Sequence, residues 1–440
     1  MTETKLAAIV MAGGHGTRMR SATPKHLHPI LGRRMVDWVL AAAVSLQPSR
    51  LVVVASPDTR EAYGGVEVAV QERALGTGDA VRAARTALGE AEGELLVLSG
   101  DTPLLTTELL TALLDTHRRE RAAATVLTFE TDEPRAYGRI VRGGEGHVRA
   151  IVESVDATPE QLAIRECNSS IYLFSGEHLW PALDRLRPGN AQAELYLTDA
   201  VRDLADHGQL VAAHVAADPT ETEGVNTRVE LAAAAATLRD RINRRHMLAG
   251  VSIVDPTSSW IEPDVQLEPD SVVHPFTVLR GQTRVAAGAE IGSHAVAVDA
   301  VIGAGAIVGP FCYLRPGTIL EARSKAGTFV EIKNSHIGAR TKVPHLSYIG
   351  DAEIGEDTNV AASNVTVNFP HQPGRPKGRT TIGRNVRTGV DNAFVAPVTI
   401  GDDAWLAAGT VITEDVPPNA LAGFPPRQVN KEGRGGKRND

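Results

Sequence analysis

The second half of the chain repeats every six residues, and few folds accommodate that period. Large apolar residues stand six apart at Ile261, Leu267, Val273, Leu279, Val285 and Ile291, and the spacing resumes at Ile302, Val308, Leu314 and Leu320. It returns through Ile382, Thr388, Phe394, Ile400, Leu406 and Ile412. Four places after each, the residue is usually small, as at Ser271, Thr277, Ala289, Cys312, Ser324 and Thr410. This is the hexapeptide repeat of a parallel β-helix. Each unit supplies one short flat strand and a turn, and three units close a triangular coil with the apolar residue inside. A chance run of β-branched residues would not hold one register through so many units. The spacing slips to five at Ile332→Ile337 and Ile349→Ile354, which reads as local distortion of a coil.

The first half has another texture. Leu6–Met11, Leu51–Ala55 and Leu95–Ser99 read as buried strands, and Met35–Leu46 and Gly78–Leu88 carry helix-period apolar positions. That alternation predicts a mostly parallel sheet with helices on both faces. Ligands on such sheets bind beyond the carboxyl ends of strands. A glycine loop, "MAGGHGTRMRSATPK", sits there with Arg18 and Lys25, and so does "SGDTPL" around Asp101. Backbone N–H groups of such a loop can close on phosphate oxygens, with the cations adding charge. The loop is neither a dinucleotide fingerprint, because Met19 stands where a third glycine belongs, nor a P-loop, because Thr17-Arg18 follow Gly16. Val229–Leu248, without Gly or Pro, reads as one long helix between the halves, and the last residues read as a disordered polar tail.

Composition narrows the class. Of 440 residues 42% are apolar but only 4% aromatic, so the cores rest on Ala, Val, Ile and Leu. A net charge of −8 argues against broad nucleic-acid or anionic-membrane binding. Cys167 and Cys312 have no metal-ligand spacing and read as buried thiols in a reducing compartment. The N-terminus lacks a signal-peptide pattern and no apolar run reaches membrane-spanning length, so a soluble cytoplasmic protein is expected.

Several constellations are open to two readings. Asp101 caps the next helix, or faces the loop cations across a divalent metal. Asn226 in "EGVNTR" is a second oxygen ligand or the N-cap of the long helix. "QERALGTGDA" is an ordinary helix entry, or a base-reading loop using Gln71 and Gly76. Gly138, Glu153 and Asn168 are polar or small residues at strand ends. In the coil, Arg315, Glu331, Lys333, His345 and Tyr348 concentrate within a few repeats, and the segment Asn368–Thr380 breaks the register as a projecting loop.

Taken in order, these segments resemble the bifunctional bacterial family that joins N-acetylglucosamine-1-phosphate uridylyltransferase to glucosamine-1-phosphate acetyltransferase. The glycine loop through Lys25 is similar to the sugar-nucleotidyltransferase signature. The Gln…LGTG, GD-x-PL, YGRI and EGVN-x-R motifs follow in the family's order, then LRPG, FVE-x-K, HL-x-Y-x-GDAEIG and FVAPVTIG. The resemblance implies a Rossmann-like nucleotidyltransferase domain over 1–227, a linker helix over 228–249, a left-handed parallel β-helix over 250–429 and a tail over 430–440.

It also implies residue roles. Arg18 and Lys25 would take up phosphate charge, with Ala12, Gly13, Gly14, Gly16, Gln71, Gly76 and Thr77 on the nucleotide of UTP. Asp101 and Asn226 would hold Mg²⁺, and Gly138, Glu153, Asn168 and Asn226 the N-acetylglucosamine-1-phosphate. In the coil His345 would be the base, oriented by Glu331. Arg315, Lys333, Tyr348 and Asn359 would bind glucosamine-1-phosphate, and Ala362, Asn368, Phe369, Val390, Ala408 and Arg427 acetyl-CoA. The family assembles as trimers with the acetyl site between subunits. Departures are His15 for a common lysine, Ser99 for Tyr, "NSS" at 168–170 for N-T-G, Phe369 for Tyr and Val390 for Ser. Two other readings stay open: a nucleotidyltransferase for a different sugar or base whose β-helix serves only assembly, and a non-catalytic sugar-nucleotide-binding regulator.

Overall fold

The computed structural model describes residues 5–14, 16–89, 93–188, 194–370, 374 and 376–423. His15, Arg427 and the tail 430–440, singled out above, lie outside the described residues. The chain divides into two compact units, Met1–Thr237 and Leu238–Asp440. The division falls inside the long helix Arg228–Leu248, within the segment expected to be a linker.

The first unit is a mixed sheet whose strand order is Val211–Val215, Ala124–Glu130, Glu166–Ser175, Glu94–Ser99, Leu6–Ala12, Arg50–Ala55, Glu67–Val70. Leu6–Ala12 lies in the middle, parallel to both neighbours, with Ile9 between Val52 and Val97. Glu166–Ser175 is the one strand of this path that runs antiparallel to its neighbours. The three strands read from the sequence are apolar throughout because both faces are covered. On one face Val36, Leu40, Leu109 and Leu113 come from the helices Met35–Ser45 and Thr107–Glu120. On the other face Val81, Leu179, Leu197 and Val201 come from Thr77–Ala83, Gly176–Arg185 and Leu197–Asp206. Leu98 is fully buried in the first layer, and truncating such a residue to alanine costs about 2–5 kcal/mol.

The second unit is a left-handed parallel β-helix of hexapeptide repeats. Among the described residues its short strands stack into three parallel sheets of six, nine and eight strands. Ile261, Val273, Leu279, Ile291, Val308, Leu314, Phe394 and Ile400 are sealed inside. The apparent break between Ile291 and Ile302 is filled by Ala297, which pairs with Leu279 and Leu314. Ala326, Val360 and Thr366 hold the same interior place and are buried. The five-residue steps all lead onto one sheet, at Ile302, Ile337 and Ile354, so contraction belongs to a single edge of the coil.

At another edge Phe276, His294, Phe311, Phe329 and Leu346 take left-handed backbone angles, φ from 47 to 62. That conformation is costly for bulky residues. The rings of the first four offset the cost by stacking on one another, with centroids 4.8, 4.8 and 5.4 Å apart. Among the described residues no helix is long and apolar enough to cross a membrane.

Candidate active sites

The chain leaves the central strand at Ala12 into Gly13 and Gly14, and turns at Gly16. Gly16 has φ 66, and a Cβ there would lie 2.4 Å from Lys25 Cβ, so the turn requires glycine twice over. The close approach holds Lys25 against the loop. Its Nζ donates to Asp101 Oδ2 and, at 2.9 Å, to Asn226 Oδ1. The same Asn226 oxygen accepts from Arg18 Nη2 at 2.9 Å. Four residues from three separate sequence segments, the glycine loop supplying both cations, therefore meet at one point.

Hydrogen-bond partners decide against the capping reading of both Asp101 and Asn226. The helix after Asp101 is capped by Thr106, whose hydroxyl accepts from Leu109 N. Asp101 instead accepts from Lys25 and, at 2.6 Å, from Ser99 Oγ. Burial pushes the Asp101 carboxyl up, but the Lys25 ammonium and the Ser99 hydroxyl outweigh it and hold the group below the usual carboxylate range. The long helix is capped by Thr227, which accepts from Glu230 N while Glu230 accepts from the Asn226 and Thr227 amides. That reciprocal pair is a capping box, and it frees the Asn226 side chain. The Thr-x-x-Glu spacing was visible in the sequence and would have decided the question.

Asp101 and Asn226 thus direct two oxygens at one cationic position. Among the described residues no group of three or more His, Cys, Asp or Glu could cage a metal ion. Two hard oxygen donors suit Mg²⁺, which takes few protein ligands and completes its shell with water and phosphate oxygens.

Beside these charges lies a cavity of about 270 Å³ bounded by Ala12, Gly13, Gly14, Lys25, Gln71, Gly76, Thr77 and Asp101, with His26 and Glu194 not foreseen from the sequence. The Gln71 amide nitrogen donates to Gly76 O and Asp79 Oδ2, both at 3.0 Å, leaving Oε1 toward Gly13. Gly76 has φ 111 and would collide with the Leu195 backbone if it carried a Cβ. The Thr77 hydroxyl accepts from Leu197 N at 2.9 Å, so it also fastens the loop to the start of the helix Leu197–Asp206.

Gly138, Glu153 and Asn168 converge as well. A Cβ on Gly138 would sit 3.5 Å from both Asn168 Cβ and Glu153 Oε2. The Asn168 amide is engaged by Tyr172 Oη at 2.8 Å and by Ser170 N at 3.2 Å. Burial raises the Glu153 carboxyl above its ordinary range, against a Thr198 hydroxyl bond of 3.3 Å. Ser170, at the third place of "NSS", adopts φ 63 inside a β-bulge, a conformation that favours glycine.

On the coil the candidates occupy successive turns. Arg315 pairs with Glu331 at 2.8 Å. Glu331 is expected from the sequence to orient His345; its carboxylate pairs with Arg315 instead, and among the described residues no hydrogen bond joins it to His345. Asn368 is buried, donating to Asp351 Oδ2 at 2.5 Å and to Tyr348 Oη at 3.5 Å. Lys377, missed from the sequence because it lies in the register-breaking loop, brings its ammonium against Lys333. That neighbour, with Arg315 adding to it, holds Lys333 below the usual lysine range. Three cations crowded together form a receptor for an anion.

His345 ends the strand Lys342–His345, exposed, while Val343 and Ser347 beside it are buried. Above it the same edge climbs one residue per turn of the coil. Ser363 N donates to His345 O, Asp391 N to Ala362 O at 3.0 Å and Gly409 N to Val390 O at 2.8 Å. Gly389 packs directly on Ala408. Ala362, Val390 and Ala408 therefore form one ascending edge that starts at His345. Asn359 lies between Lys342 and Arg387 on the adjoining sheet, and Phe369 is 65% exposed.

Comparison with known proteins agrees with this two-part construction. Residues 8–201 match the family model of a MobA-like NTP transferase domain, and residues 379–414 that of a hexapeptide repeat of succinyl-transferase. The bifunctional protein GlmU of Streptomyces coelicolor is 49% identical over 452 residues, covering 97% of this chain and 93% of that protein. The protein of the same name from Mycobacterium tuberculosis strain H37Ra is 48% identical, covering 94% and 89%. That of Corynebacterium aurimucosum is 45% identical, covering 98% and 93%. On its sequence and on both halves of its fold, the chain belongs to the family of bifunctional GlmU proteins.

Proposed function

We propose that the chain makes UDP-N-acetylglucosamine in two steps. The coil acetylates glucosamine-1-phosphate with acetyl-CoA, and the first unit transfers UMP from UTP to N-acetylglucosamine-1-phosphate, releasing pyrophosphate. The observation that carries the reading is the meeting of Arg18, Lys25, Asp101 and Asn226 beside a glycine-walled cavity.

In uridylyl transfer a phosphate oxygen of the sugar phosphate attacks the α-phosphorus of UTP, and the bond to pyrophosphate breaks. The protein's task is alignment and charge stabilisation. Gly13 and Gly14 supply amides to phosphate oxygens, and Arg18 and Lys25 neutralise charge growing on the phosphorus and the leaving group. Gln71 Oε1, with Gly76 and Thr77, meets the base and ribose. Gly138, Glu153 and Asn168 hold the sugar. Asp101 and Asn226 would hold Mg²⁺, which when bound screens the phosphates from one another.

In acetyl transfer the glucosamine nitrogen attacks the thioester carbonyl, the C–S bond breaks, and coenzyme A leaves as the thiol. An ammonium is not nucleophilic, so His345 takes the proton. Arg315, Lys333 and Lys377 bind the sugar phosphate, Tyr348 and Asn359 the sugar, and Asn368 fixes Tyr348. Acetyl-CoA lies along the edge Ala362–Val390–Ala408, with Phe369 and Arg427 as further contacts. The exposed coil faces support a homotrimer that closes this site, in the cytoplasm, with domains bounded at 1–227, 228–249 and 250–429. Incubating the protein with glucosamine-1-phosphate, acetyl-CoA and UTP tests the reading. N-acetylglucosamine-1-phosphate, pyrophosphate and UDP-N-acetylglucosamine should all form, and pyrophosphate release with a different sugar phosphate alone would contradict it.

A further inference from the structure

The second half of the Y-G-R-I segment has no part in the chemistry above, yet its arginine is unusual. Arg139 is only 3% exposed, and among the described residues no carboxylate pairs with it. Its guanidinium instead donates to four backbone carbonyls: Tyr137, Arg135 at 3.2 Å, Pro134 at 3.5 Å and Leu162 at 3.4 Å. A planar fork of five N–H donors can serve several carbonyls at once, which an ammonium on a flexible stem cannot.

Three of those carbonyls belong to the turn directly before Gly138. The fourth ends the short helix Pro159–Leu162, itself locked by a capping box between Thr158 and Gln161. The guanidinium therefore ties the 134–138 turn to a fixed element. On the other side of the turn, Gly138 O accepts from Asn168 N at 2.9 Å, and the Gly138 Cα faces Glu153. Tyr137, in the same turn, packs edge-on against Phe129 at 4.9 Å, with the Gly224 amide against its phenol oxygen. Gly224 begins the loop that carries Asn226.

We infer that Arg139 is a positioning residue for sugar recognition, holding the turn that sets Gly138 between Glu153 and Asn168; this rests on the uridylyltransferase reading. It touches no substrate and acts through the backbone it gathers. Loss of the fork lets the turn drift, and misplacement of a substrate-aligning wall by about an ångström costs up to about a hundredfold.

The test uses the full chain with Arg139→Lys and Arg139→Met. Pyrophosphate release is measured against N-acetylglucosamine-1-phosphate and UTP separately, and amide exchange is followed over residues 134–138. The KM for the sugar phosphate should rise about tenfold or more in Arg139→Met and less in Arg139→Lys. The KM for UTP and the acetylation rate should stay within about twofold, and exchange in the turn should quicken about tenfold. A loss confined to kcat or to the folded fraction, an equal rise in both KM values, or unchanged exchange overturns the inference. If the wild type releases no pyrophosphate with this sugar phosphate, the uridylyltransferase reading fails, and the exchange measurement alone then decides whether Arg139 holds the turn.

Discussion

At the end of the first strand, Lys25 and Asp101 are each less than a fifth exposed, and they meet Arg18 and Asn226 in a closed set of hydrogen bonds. Along the coil, His345 is exposed with no side chain bonded to it among the described residues, and Lys333 is pressed against a second ammonium. The first cluster is satisfied within one chain, and in the proposed reaction substrate phosphate would replace part of its internal pairing. The second presents like charges side by side, an arrangement that an anion would relieve. The difference teaches that preorganisation in this molecule is unequal. One site is assembled by three segments at a sheet edge, while the other is a line of side chains that a rigid coil spaces but does not enclose.

The largest expected effect falls on the open site. His345→Ala should lower acetyl transfer by about two to four powers of ten, the range for a lost general base. Uridylylation of supplied N-acetylglucosamine-1-phosphate should be unchanged, and both rates can be read from one product assay. Acetylation at the wild-type rate would reduce the coil to a scaffold.

Asp101→Ala strikes the closed site. It should cost about two to three powers of ten in pyrophosphate release and spare acetylation. Near-normal turnover would show that the Lys25–Asp101–Asn226 set is a structural ion pair only.

A finer effect separates function from stability at Glu153. Because burial raises its folded-state pKa, ionised Glu153 opposes folding at pH above that value, and the opposition disappears as pH falls below the ordinary carboxylate range. Glu153→Gln should therefore raise Tm by about 1–2 °C at pH 8 and change it little at pH 3, while raising the KM for the sugar phosphate. A lower Tm at pH 8 would mean that the Thr198 contact outweighs the burial cost.

The smallest effect is expected at Ser170→Gly. It relieves a left-handed backbone angle and should stabilise by about 0.5–1 kcal/mol with unchanged kcat, measurable by denaturant unfolding. A destabilised variant would show that the serine side chain has a role of its own in the bulge.

The legibility of the two regions differed for physical reasons. The coil's interior could be read almost residue by residue because each large apolar side chain repeats one environment. The reading lapsed at Ala297, Ala326 and Thr366, where a narrow interior accepts small or polar residues that carry no hydrophobic signal. In the first unit the strands were legible because both faces are buried, and their ends fell within a residue of the expected positions. The charged partners were harder to read. Asn226 cannot be told from a cap without reading Thr227 and Glu230 together, and the Glu331 side chain reaches Arg315 diagonally, two residues beyond its ladder partner Tyr313, which no repeat spacing announces. Lys377 left no trace, because only the return of its loop brings it to Lys333.

In the proposed function, two independent sites in one chain pass a free intermediate from the coil to the sheet edge. Mixing the Asp101→Ala and His345→Ala proteins tests it most directly, with glucosamine-1-phosphate, acetyl-CoA and UTP supplied and UDP-N-acetylglucosamine followed over time. Each variant alone should form almost none, and the mixture should form it after a lag while N-acetylglucosamine-1-phosphate accumulates. A mixture of two folded variants that stays as inactive as either one would contradict the account.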